Sequence, residues 1–186
     1  DVNKVYILKQ HGLPIVADLT RSENNTLAHN ACGIIANLAE IPSTRKEMIT
    51  DGILHHIKFT LRSNCVEVQR ESLRALSNLS SDFECIISIT ESGLLSPLIK
   101  SLSSPNSLCK RFSAMAISNL ATNRKIHSRL VEEGAIDPLI YIVSQDKLEY
   151  EDALKFAYIA LVNLSSSDFY HDLLMACDIT GYSMKF

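Results

Sequence analysis

Tryptophan is absent from this 186-residue sequence, and glycine (6) and proline (5) are scarce, as expected of a chain that is mostly helix. No run approaches the roughly 18 apolar residues that a membrane helix needs, so direct membrane insertion is not expected. The polar start Asp1-Val2-Asn3-Lys4 leads into no apolar segment of the signal-peptide kind. An initiating Met is also lacking, and the chain reads as a piece of a longer protein. Charge of one sign is missing too. The net charge of -3 gives no global pull toward nucleic acid or an anionic membrane, and any such preference has to come from a local patch.

The cysteines, Cys32, Cys65, Cys85, Cys109 and Cys177, are odd in number and widely scattered, with no C-x-x-C pair and no zinc-ligand spacing to histidines. They read as small buried thiols in a reducing, cytoplasmic compartment, not as a disulfide framework. Catalytic signatures are likewise missing: there is no H-E-x-x-H, G-x-S-x-G, Walker-type or G-x-G-x-x-G pattern. The adjacent His55 and His56 stand about 100° apart on a helix and read as surface histidines, not as a ligand pair. Asp146, Glu149, Glu151 and Asp152 lack the oxygen-ligand spacing and turn glycine of a calcium loop, and read as a solvated link. No enzyme activity, cofactor or metal is expected.

What the sequence does contain is a repeat. Hydrophobic residues make up 46% and charged residues 21%, enough for one well-buried domain. Gly12, Gly52, Gly93 and Gly134 recur at spacings of 40, 41 and 41. An independent marker, the Asn-Leu pair at Asn37, Asn78, Asn119 and Asn163, recurs at 41, 41 and 44. Two markers sharing one period establish internal repetition. Each unit reads as three helices: a short one ending at the glycine, a second starting after it, and a long third ending just past the Asn-Leu pair. Glycine suits the left-handed position that closes the first helix. Pro97 and Pro138 fall in the first turn of their second helices, where proline is tolerated.

At 100° per residue the long helix has two faces. Counting from the Asn, position -6 holds Ala31, Ser72, Ser113 and Ala157. Position -2 holds Ile35, Leu76, Ile117 and Leu161, and position +1 holds Leu38, Leu79, Leu120 and Leu164. This face predicts the core between layers. The Asn lies on another face with positions -4, -7 and -8, which show no repeating apolar pattern. In a solenoid of such units this face becomes a continuous surface along the stack, and we read it as a partner-binding groove.

The sequence resembles the armadillo repeat family. The likeness rests on the glycine followed by Pro-Leu at the second helix and on the Ala-Leu-Ser-Asn-Leu-Ser ending of Ala75–Ser80. That ending recurs as Ala116-Ile117-Ser118-Asn119-Leu120-Ala121 and Ala160-Leu161-Val162-Asn163-Leu164-Ser165. The resemblance implies an all-α, right-handed α-solenoid filling residues 1–186 as one domain. It has about four three-helix repeats at roughly 1–41, 42–82, 83–123 and 124–167, and the start of a fifth at 168–186. A two-helix HEAT-like solenoid is the competing fold, and the corner glycine between two short helices counts against it.

By resemblance, Asn37, Asn78, Asn119 and Asn163 hydrogen-bond the backbone of an extended partner peptide; bracing of the neighbouring repeat is the other reading. Nuclear-import adaptors carry Trp four residues before the groove Asn, whereas here Gly33, Arg74, Met115 and Ile159 stand there. The chain therefore looks closer to vacuolar, organelle-anchoring or ciliary armadillo proteins, with cytoskeletal association in scope. The strip at -8 and -4 holds His29, Arg70, Arg111, Lys155 and Arg74, with Glu71 the one acid, able to pair with Arg74. It reads either as a site for an acidic segment or as ordinary solvated helix surface. Phe112 and Met115, with Phe156 and Ile159, form an apolar patch that either anchors a partner or packs against the next repeat. The expected function is a protein-interaction scaffold for a protein or extended peptide, without nucleic acid, and with flanking repeats or a partner covering the ends. The alternative is a regulatory or substrate-recruiting part of a larger enzyme such as a ubiquitin ligase.

Overall fold

The computed structural model describes residues 2–145 and 151–166, and no strand occurs among them. The elements fall into the expected order of short, short and long helices. The first group is α1 (Val2–Lys9), α2 (Gly12–Leu19) and α3 (Asn25–Ala39). The second is α4 (Pro42–Thr50), α5 (Ile53–Thr60) and α6 (Val66–Ser80). The third is α7 (Phe83–Glu91), α8 (Leu95–Ser101) and α9 (Ser107–Leu120). A 3-10 turn at Arg124–Ile126 then precedes α10 (His127–Glu132), α11 (Ile136–Ser144) and α12 (Glu151–Ser165). None of the described helices is long and apolar enough to cross a membrane. The expected start of a fifth repeat at 168–186 lies outside the described residues, as do Asp146 and Glu149.

Polar side chains cap α3, α7 and α9. The Asn24 Oδ1 accepts from the Thr26 and Leu27 amides (2.9 and 3.3 Å) at α3, and Asn106 accepts from the Cys109 amide (3.0 Å) at α9. Asp82 does the same for Glu84 (3.0 Å) at α7, and Pro42 occupies the first turn of α4, where no amide partner is missed. Asn123 accepts from the Lys125 amide (3.1 Å) and winds the next turn tightly, so the short helix expected before Gly134 is divided into a 3-10 turn and α10. Glu151 and Asp152 stand in the first turn of α12 and not in the link; there they favour the positive end of the helix dipole.

Three of the four marker glycines hold the left-handed conformation: Gly52 at φ 82°, Gly93 at 73° and Gly134 at 84°. The first unit departs from the pattern. There His11 takes the left-handed position, at φ 54°, and Gly12 is the first residue of α2. A different constraint keeps residue 12 small, because a Cβ on it would stand 2.9 Å from the Ile7 carbonyl oxygen.

The long helices pack in sequence, α3 on α6, α6 on α9 and α9 on α12. Every residue predicted at -6, -2 and +1 is buried, the most exposed being Leu161 at 3%. One continuous core runs from Leu8 to Leu164. The two serines in this face are satisfied: Ser113 donates to the Leu98 carbonyl (2.9 Å), tying α9 to α8, and the Ser72 hydroxyl bonds Thr60 Oγ1 (2.7 Å), tying α6 to α5.

The glycines divide into two energetic kinds. Gly134→Ala forces an L side chain into a left-handed corner and is expected to cost about 1–2 kcal/mol. Gly33 sits inside α3, and a Cβ there meets nothing nearer than a Glu71 carboxylate oxygen at 3.9 Å. Gly33→Ala is expected to stabilise the chain by about 0.5–1 kcal/mol. Urea midpoints that moved in the same direction for both variants would contradict this assignment.

Candidate functional site

The long-helix face is organised by one recurring contact. The last turn of a helix leaves carbonyls without an intrahelical donor. The Asn78 Nδ2 donates to the Ala36 carbonyl (3.0 Å), Asn119 to Ser77 (3.2 Å) and Asn163 to Ser118 (3.1 Å). Each acceptor is the residue just before the Asn of the preceding long helix. Three amides therefore point the same way and brace the neighbouring unit. The bracing use and the outward use are compatible, since an amide has two N–H donors and an acceptor oxygen. The Oδ1 atoms of Asn78, Asn119 and Asn163 receive no donor among the described residues, and these side chains are part exposed. Asn37 differs: its Oδ1 accepts from Arg74 Nη2 at 2.9 Å. Of the four predicted clamp residues, it is the one whose acceptor is already occupied.

The charged strip is also resolved into two parts. Arg74 is surrounded by acceptors: Glu71 Oε2 (2.8 Å), Glu40 Oε1 (3.0 Å), the Gly33 carbonyl (3.3 Å) and Asn37. Arg70 donates to Glu71 Oε1 (3.1 Å) and stands 3.3 Å from His29 Nε2. Lys4 joins Glu40 Oε2 at 2.7 Å. Burial pushes the Glu71 carboxyl up, but the hydrogen bonds and charges of Arg74 and then Arg70 outweigh it and hold it below the usual range. The expected open basic strip is thus neutralised from within at Arg70 and Arg74. Glu71 is not the only acid on it, because Glu40 and Asp152 also reach its cations. Both were visible in the spacing: Glu40 lies three after Asn37, and Asp152 eleven before Asn163, on the same side of the helix.

Further along, Arg111 Nη1 meets Asp152 Oδ2 at 3.1 Å, and the Arg111 guanidinium lies 5.6 Å from the Phe112 ring centroid. Lys155 is exposed. Phe112 and Phe156 are half-buried and packed against the core, Met115 is half-buried, and Ile159 is 40% exposed. The packing use is the one these contacts show: Phe112 and Phe156 lie against the core, while Ile159 remains exposed.

The described thiols and histidines elsewhere are held in quiet surroundings. Burial pushes the Cys85 thiol to about 11 and raises those of Cys32 and Cys109. Cys65 is part exposed, and its thiol donates to Glu67 (3.1 Å). No group of three His, Cys, Asp or Glu side chains among the described residues is placed to hold a metal ion. His56 is not the plain surface residue expected. Its Nδ1 is buried without a partner, and the ring borders a small void with Thr20, Cys32 and Thr60. Desolvation first, then the Arg21 charge, keeps it below its usual pKa.

No protein-family model and no curated protein matches the sequence. Solved structures do. Computationally designed armadillo repeat proteins for modular peptide recognition superpose with a TM-score of 0.88 at 24% identity, over 97% of this chain and 76% of theirs. A designed armadillo repeat protein in complex with the peptide (KR)4 gives 0.88 at 25% identity, over 96% of this chain and 75% of that one. A third, described as an engineered protein, gives 0.82 at 27% identity; this chain, 90% covered, spans only 41% of its length. The protein is an all-α solenoid. Its fold is that of armadillo repeats.

Two outcomes test this description of the face. The Glu71 carboxylate is ionised more readily in the fold than its ordinary pKa of about 4.3 allows, so its contribution is complete above that pH and disappears as pH falls through the lower folded value. Glu71→Gln is expected to cost about 1–3 kcal/mol near neutral pH, with the gap to the parent closing below about pH 4 in urea titrations. A gap that persisted in acid would contradict the ion network. Among Cys32, Cys65, Cys85 and Cys109, limited alkylation of the native protein is expected to label Cys65 first, as read by peptide mass mapping; early labelling of Cys85 would contradict its burial.

Proposed function

We propose that this chain is a protein-interaction scaffold, not an enzyme, and that it holds an extended segment of a partner along the face of its long helices. The observation that carries this reading is the parallel set of Asn78, Asn119 and Asn163 amides. Each donates to the preceding helix, which fixes its orientation, and each keeps an acceptor oxygen uncommitted. A row of fixed acceptors suits the backbone N–H groups of a peptide in β conformation, which has no internal partners for them. Fixing the amides beforehand lowers the ordering cost of binding. The fold's likeness to designed proteins made for modular peptide recognition supports the same reading. Trp is absent, and Arg74, Met115 and Ile159 stand four residues before three of the groove asparagines. This favours an organelle-anchoring, vacuolar or ciliary setting over nuclear import. The buried thiols suit a reducing cytoplasm.

The test is a selection of extended peptides from an unbiased library, followed by affinity measurements on variants. Asn119→Ala with Asn163→Ala is expected to weaken selected peptides at least about tenfold, because two backbone contacts are lost. Asn119→Asp removes the bracing donor but keeps an acceptor. It is expected to lower stability by about 1 kcal/mol and to affect binding less than Asn119→Ala. Selected peptides whose affinity ignored the alanine pair would overturn the reading.

A further inference from the structure

The two halves of the face offer different chemistry, and among the described residues only one is open. Resting on the peptide-scaffold reading, we propose that the segment bound is one that alternates apolar and acidic side chains, and that it seats over α9 and α12. Around α3 and α6, Arg74 makes four side-chain contacts with neighbours, Asn37 is closed by Arg74, and Glu71 and Glu40 complete the cluster. A ligand carboxylate there has to displace an acid already held by arginine, and a ligand cation meets carboxylates already paired. That half gives little reward to charge of either sign.

Around α9 and α12 the position is reversed. Arg111 meets one acceptor, Asp152, and both side chains are substantially exposed, at 39% and 60%. A pair this exposed adds little and exchanges readily for a ligand carboxylate. Lys155 stands at the same helical position one unit on, exposed and without an acceptor among the described residues. Met115 and Ile159 share this face, both four residues before their asparagines and neither fully buried. The cross-helix bond from Asn163 to the Ser118 carbonyl fixes the register, so equivalent positions of the two helices stand side by side. An extended chain turns successive side chains to opposite sides. With its backbone on the asparagines, one set of side chains covers Met115 and Ile159 while the alternate set reaches Arg111 and Lys155. Charge complementarity then selects carboxylates for that second set.

The probes are four octapeptides, (EL)4, (ES)4, (KL)4 and (KR)4, fluorescently labelled and titrated into the chain by anisotropy. The last is the peptide that a designed armadillo neighbour binds. The expected result is that (EL)4 binds at least about tenfold tighter than each of the others, and that Met115→Ser with Ile159→Ser, and Lys155→Gln with Arg111→Gln, each weaken it at least about fivefold. Thermal midpoints of both variants verify folding. If (KR)4 or (ES)4 binds as well as (EL)4, the proposal is overturned. The scaffold reading then survives provided Asn119→Ala with Asn163→Ala weakens whichever peptide binds. Tight (EL)4 binding indifferent to Met115 and Ile159 overturns the assignment to this half. No binding by any of the four overturns the proposal, while library selection still decides the scaffold reading. Self-association that Ile159→Ser abolishes and (EL)4 cannot compete would give this face to a second copy and overturn the proposal too.

Discussion

One hydrogen bond, from an asparagine amide to the carbonyl just before its counterpart in the preceding long helix, sets the register of the whole stack. Apolar packing brings α3, α6, α9 and α12 together, but a leucine face alone tolerates small slips along the helix axes. The amide does not. It needs a carbonyl within about 3 Å, and the carbonyls that lack intrahelical donors lie only in the last turn. Once that contact is repeated at Asn78, Asn119 and Asn163, positions -4, -7 and -8 form columns across successive helices. The face is readable as a surface only because of that alignment.

The columns then acquire their character from which side chains the sequence supplies. At -4 they run Gly33, Arg74, Met115, Ile159, and at -7 Asn30, Glu71, Phe112, Phe156. The missing side chain at Gly33 leaves a backbone carbonyl that Arg74 reaches, and Glu71 lies one turn back on the same helix to hold the guanidinium in place. Substituting Met and Phe in the next unit removes both the cation and its acid together. The change from a closed ionic cluster to an open apolar patch thus takes two coordinated replacements within one repeat period.

Much of this was legible in the chain itself. Twelve core positions followed from the Asn-Leu spacing and a helical wheel, because burial on a long, strongly periodic helix leaves an unambiguous trace. The corner glycines were legible for the same reason, and the failure at Gly12 is instructive. There the glycine answers to a close approach by the Ile7 carbonyl, while His11 takes the left-handed residue, and a one-letter pattern cannot separate the two causes. The pairing of cations was the least legible part. Glu71 was placed beside Arg74, while Glu40 and Asp152, whose spacing puts them on the same face of neighbouring units, reach Arg74 and Arg111 across a gap that a wheel for one helix leaves out. His56 was missed similarly, since its burial comes from packing outside its own helix.

The contrast between the two halves also makes the stack unequal in its response to solvent. Units joined through Lys4, Glu40, Glu71, Arg70 and Arg74 lean on Coulombic attraction, which raised ionic strength weakens wherever water reaches the pair. Units joined through Phe112 and Phe156 lean further on apolar burial, which weakens on cooling. Because each unit of a solenoid rests mainly on its immediate neighbours, such effects stay where they arise. Raised ionic strength therefore acts most on exposed pairs such as Lys46–Glu84 and Arg111–Asp152, while cooling weakens the apolar core that all the units share.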